Sequence, residues 1–89
     1  MYISVKSVEP LEGYKLLIRF DNDEQRIFDV SPYLNKGKFT DLTNVTLFNS
    51  VAVKFDTIEW PNHLDIDPEF LYENSVQVDE ARMLRSSQS

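Results

Sequence analysis

The sequence predicts an α+β fold, a small antiparallel sheet of about five strands with two or three short helices packed on it. Three observations carry this expectation. Apolar and polar residues alternate through much of residues 3–60, which is the period of a half-buried strand. Clusters of Asp, Asn, Gly and Pro interrupt those runs at hairpin spacing. Two steps, Ser31-Pro32 and Asp67-Pro68, have the composition of a helix start. A chain of 89 residues encloses a single core, and with no cysteine that core must be held by packing.

Taken in order, Ile3 and Val5 alternate with Ser4 and Lys6, and the phase then slips, because Val8 has the opposite parity. A bulge near Ser7 accounts for the slip. Pro10-Leu11-Glu12-Gly13 has turn composition. Tyr14, Leu16, Ile18 and Phe20 then share one face of the clearest strand, with Lys15, Leu17 and Arg19 on the other. After Asp21-Asn22-Asp23-Glu24, alternation resumes through Arg26, Phe28 and Val30, so the two runs read as a hairpin. Ser31 is placed to cap a short helix begun by Pro32, which Gly37 cuts off. Phe39, Leu42, Val45 and Phe48 recur every three residues, the spacing of a short helix or 3₁₀ turns.

Val51, Val53 and Phe55 return to strand alternation, with the Phe55 ring expected in the core, and Asp56-Thr57 turns the chain into Ile58-Glu59-Trp60 as a second hairpin. Asp67 is the expected cap of a helix over residues 68–73, with Phe70, Leu71 and Tyr72 directed at the sheet. Apolar density falls after Asn74. The domain is therefore expected over residues 1–75, with 76–89 a flexible tail or, over 78–84, one exposed helical stretch.

Charge narrows the function. A net charge of −6 argues against nucleic acid and against anionic membranes, both of which are gripped through Lys and Arg. No window approaches the run of about 18 apolar residues that crosses a bilayer, and the first residues lack the pattern of a signal peptide, so a cytoplasmic location is expected. The negative charge is also local. Acids and bases balance over residues 1–55 and again over 76–89, and the whole excess falls on Asp56, Glu59, Asp65, Asp67, Glu69 and Glu73.

Catalytic and metal-binding patterns are weak. His63-x-Asp65-x-Asp67 has alternating donors, but the segment reads as a turn and Asp67 is needed as a cap, so no metal and no cofactor are expected. Asp21 to Glu24 resembles the start of a calcium loop, yet Arg26 and Pro32 stand where that loop needs Gly and Glu. Neither Gly13 nor Gly37 belongs to a phosphate-binding loop, and no nucleophile has a base at recognisable spacing. Trp60 and Tyr72 bracket the acidic stretch. They suggest a partner-binding surface of Trp60, Asn62, Asp65, Glu69, Tyr72 and Glu73, while the alternative is a ligand or active site of Trp60, Asn62, His63, Asp65 and Asp67.

The order of these features is familiar. Phe20-Asp21, Asp29-Val30-Ser31-Pro32, Phe39 with Leu42, Trp60-Pro61-Asn62 and Asp67-Pro68-Glu69-Phe70-Leu71-Tyr72 together make the chain resemble a bacterial family of small uncharacterised domains, domain of unknown function 2442. The resemblance runs from about Val5 to Tyr72 and is most specific from Trp60 onward. It implies an α+β fold and no activity. It also implies stand-alone proteins, some of them companions of a second small protein in arrangements suggestive of toxin–antitoxin pairs. The family has Gly where this chain has Asp23 and His63, residue types that tolerate left-handed backbone, so both turns are expected to survive. The reading that results is a non-enzymatic interaction domain, antitoxin-like, presenting acidic surface to a basic protein partner, with homodimerisation through an edge strand as a further expectation.

Overall fold

Seven strands and two short α-helices order residues 3–78, the part of the chain that the computed structural model describes. Strand β1 (Val5–Leu11) pairs with β2 (Lys15–Phe20), β2 with β3 (Gln25–Asp29), and β3 with β7 (Val76–Gln77), all antiparallel. A second antiparallel sheet has the order β4 (Ala52–Lys54), β5 (Thr57–Glu59), β6 (Asp65–Ile66). The α+β class holds, with the strands divided between two small sheets.

The expected slip in β1 is present: the register with β2 breaks between Val5 and Ser7, leaving Lys6 as the extra residue. Because Val5 pairs with Phe20 and Val8 with Ile18, the bulge brings both valines to one face. On that face Leu16, Ile18 and Phe20 are fully buried. The β2–β3 hairpin turns at Asp23, whose φ of 68° is left-handed as the glycine comparison implied.

The segment between β3 and β4 corrects one expectation. Ser31 caps nothing, because its amide and its hydroxyl both donate to Asp29 Oδ1, at 3.0 and 2.7 Å. A carboxylate two residues upstream is a stronger acceptor and closes a local turn instead. The spacing by three is realised as a 3₁₀ helix over Gly37–Thr43 followed by α1 (Val45–Phe48), which bury Leu42 and Phe48. Asn44 caps α1 by accepting from Thr46 and Leu47 amides at 2.9 and 3.3 Å. Helix α2 (Pro68–Glu73) starts as expected, with the Asp67 carboxylate accepting from the Glu69 amide.

Both sheets and both helices share one core, which runs from Ile3 through Leu16, Phe28 and Phe48 to Ile58, Trp60, Ile66 and Leu71. A backbone bond ties the two sheets at one point: the Val5 amide donates to the Asp56 carbonyl at 2.8 Å. The domain also extends past residue 75. Val76 and Gln77 pair with Ile27 and Arg26, and the Val78 amide donates to the Gln25 carbonyl at 2.7 Å, so the chain is ordered where a tail was expected. The rest of the tail reading, including most of the helical stretch over 78–84, lies outside the described residues.

Candidate binding groove

The β4–β5 hairpin has a two-residue loop, because Lys54 opposite Thr57 is the last pair. Phe55 has a φ of 56° and Asp56 is not left-handed, the pattern of a turn whose first position suits glycine. The strand therefore ends one residue before Phe55. Its ring, expected in the core, stands out from the tip at 90% exposure.

Cross-strand pairing decides what accompanies it. Lys54 lies opposite Thr57, and Ala52, Glu59 and Asp65 lie in one row across the three strands, so these five share a face of the second sheet. The alternate row, Val53, Ile58 and Ile66, faces the other way, with Ile58 and Ile66 buried. The outer face and the hairpin tip bound a groove of about 460 Å³ lined by Lys54, Phe55, Asp56, Thr57, Glu59, Asp65 and Pro68. Lys54 Nζ lies 2.9 Å from Glu59 Oε1. The Thr57 hydroxyl donates to the Ile66 carbonyl and so holds the third strand against the second.

Only Asp65 among the expected site residues reaches this groove. Trp60 is 1% exposed, its indole N–H donates to the Phe48 carbonyl at 3.0 Å, and it is a core residue that offers no surface to a partner or a ligand. Burial of so large a ring outweighs any gain from leaving it in water. The Asn62 amide donates to Asp41 Oδ2 at 3.1 Å and its oxygen accepts from the Leu64 amide at 3.2 Å, closing the loop it sits in. His63 is an exposed turn residue with a φ of 67°. Asp67 is used as the α2 cap, and Glu69 and Glu73, four apart on α2, are exposed outside the groove lining. Among the described residues no group of three His, Asp or Glu is placed to hold a metal ion.

The sequence profile of the family described as protein of unknown function (DUF2442) matches residues 5–77. The chain belongs to this family. No curated protein and no solved structure shows significant similarity to it. Since the matched span runs from the first residue of β1 to the last of β7, the groove and its lining lie wholly within the DUF2442 domain.

A second polar constellation in this DUF2442 chain went unread in the sequence because its members are far apart. Arg26 donates through Nε to Ser75 Oγ and through a terminal nitrogen to the Ser75 carbonyl, both at 2.8 Å, and its other terminal nitrogen meets Glu24 Oε1 at 2.8 Å. Tyr72, expected at a partner surface, donates its hydroxyl to Glu24 Oε2 at 2.6 Å and lies beneath the Arg26 guanidinium, 4.4 Å from the ring centre. Its ring also meets Phe20 edge-on. The Tyr72 hydroxyl, followed by Arg26, holds the Glu24 carboxyl below its ordinary pKa of 4.5. Asp29 is likewise lowered, first by the Ser31 hydroxyl. Their partners favour the charged carboxylates, and the Tyr72 and Arg26 contacts also fasten α2 and the Ser75 that follows it to the first sheet.

Sequence reasoning missed Lys54, Phe55, Thr57 and Pro68 as groove residues, and it met Asp56 and Glu59 only as part of the acidic excess, not as site residues. The available signal was local: placing the turn at 55–56 instead of 56–57 would have put the phenylalanine on the tip.

Proposed function

We propose that this DUF2442 domain is a non-enzymatic protein-interaction domain whose acidic groove receives a basic protein partner, in the manner of the neutralising half of a two-protein module. One observation carries the reading. Asp56, Glu59 and Asp65, half of the carboxylates on which the net charge falls, line the same groove as the exposed Phe55. An exposed aromatic ring in a groove with three carboxylates and one lysine suits a basic surface, where opposite charge speeds encounter and selects partners. Acid–base catalysis calls for a carboxyl whose proton affinity is raised by burial, whereas Asp65 is exposed and Glu59 is neutralised by Lys54.

Purification of the tagged chain from its native host at native expression, followed by mass spectrometry, tests the reading. Recovery of a stoichiometric basic protein, with an on-rate that falls as salt rises, is the expected result; recovery of the chain alone counts against it. The alternative ligand site around Trp60 to Asp67 loses its aromatic wall to the core.

Self-association through β1 is a second reading, favoured by the single neighbour that β1 has in its sheet. That edge is already blunted, since the Val5 amide is bonded to Asp56 and Pro10 has no amide hydrogen. Light scattering across a concentration series reads it directly: a mass that doubles supports the edge pairing, and a constant monomer mass removes it.

A further inference from the structure

We propose that the groove takes an arginine side chain of the basic partner, its guanidinium laid against the Phe55 ring and paired with the Glu59 and Asp65 carboxylates. This rests on the interaction-domain reading above and adds the chemical group that is recognised.

The Phe55 side chain takes no part in the core. Its ring is 90% exposed and its backbone holds a φ of 56°, so the residue forgoes core contacts while occupying a position that glycine fills more readily. A flat ring at the mouth of a groove is a stacking surface. Glu59 and Asp65 lie directly opposite each other on the outer face of the sheet, where like charges repel. Lys54 relieves Glu59 at 2.9 Å, whereas Asp65 makes no side-chain hydrogen bond or ion pair among the described residues. The face is therefore complementary to one further cation.

Arginine fits that description better than lysine. A guanidinium is planar, stacks on an aromatic face, and carries five N–H donors in a fixed fork that serves two carboxylates at once. An ammonium is a compact, strongly hydrated charge that gains less from the ring. Lys54 then acts as an internal competitor, occupying Glu59 until an arginine displaces it.

The test is an amide NMR titration of the isotopically labelled full chain with capped tri-arginine and tri-lysine peptides at equal ionic strength. Tri-arginine is expected to bind several-fold tighter than tri-lysine, with shifts centred on Lys54 to Glu59 and on Asp65. Phe55→Gly, which suits the backbone at that position and so keeps the fold, should weaken tri-arginine binding about fivefold. Lys54→Gln should tighten tri-arginine more than tri-lysine. Equal affinities for the two peptides, shifts scattered over all exposed carboxylates, or unchanged binding by Phe55→Gly would each overturn the proposal. The two readings fail differently: a native partner retained in full by Phe55→Gly removes the arginine groove and leaves the interaction domain standing, while recovery of no partner removes the interaction domain itself.

Discussion

Phe55 sits where a Cβ crowds the neighbouring carbonyl, a conformation costing a non-glycine residue about 1–2 kcal/mol. Glycine would remove that cost and add about 0.5–1 kcal/mol of unfolded-state freedom. Phe55→Gly should thus raise the unfolding free energy by up to about 1.5 kcal/mol, read as a higher urea midpoint at constant slope, while Phe55→Ala, which keeps the backbone strain and removes an exposed ring, leaves it unchanged. Trp60 behaves in the opposite way. Trp60→Phe takes the indole donor from the Phe48 carbonyl, which keeps only the longer bond from the Val51 amide at 3.4 Å, and vacates part of the core, a loss of about 1–3 kcal/mol in the same measurement. Sequence reasoning has the two the other way round, Phe55 in the core and Trp60 at a partner surface, although both follow strand alternation. What separates them is a single residue of turn placement, since alternation runs on through Val51, Val53 and Phe55 although pairing ends at Lys54.

At the scale of elements, α2 is fastened to the first sheet by Tyr72 and Ser75 acting on Glu24 and Arg26. Glu24 and Asp29 both have pKa values lowered by folding. Lowered carboxyl pKa values mean that the folded chain binds protons less readily than the unfolded one, so the stabilisation is fully present at neutral pH and is lost as pH falls below the ordinary Glu value of 4.5. Urea midpoints measured from pH 7 to pH 3 should fall across the acid end, and Glu24→Gln should flatten that fall. A chain ending at residue 75 loses the β3–β7 pairing and the Val78 to Gln25 bond, and should have a lower midpoint than one ending at residue 78. The β2–β3 hairpin, the β1 bulge and the Asp67-Pro68 helix start were legible because each has a local signature: a period, a phase slip, a cap. Strand β7 was not legible, since two exposed residues have no period and their order comes from partners some fifty positions upstream. Ser31 misled because its own neighbour Asp29 competes for its hydroxyl.

For the whole molecule, the α+β class followed from local patterns, while the division into two sheets depends on which strands pair, and alternation carries no pairing information. Because one core joins both sheets, unfolding should be a single cooperative transition, with near- and far-ultraviolet circular dichroism superimposing in urea. Leu16→Ala, at a fully buried position, should cost about 2–5 kcal/mol, a large share of the roughly 5–15 kcal/mol typical of such domains. Trp60 is the chain's single tryptophan, and its burial makes it an intrinsic lamp placed inside the core and not among the residues that line the groove. Its emission should lie to the blue and resist quenching by iodide, shifting red only when the interior opens to water. Filling the groove should leave that emission unmoved, so one unlabelled fluorophore distinguishes a variant that has lost its partner from a variant that has lost its fold.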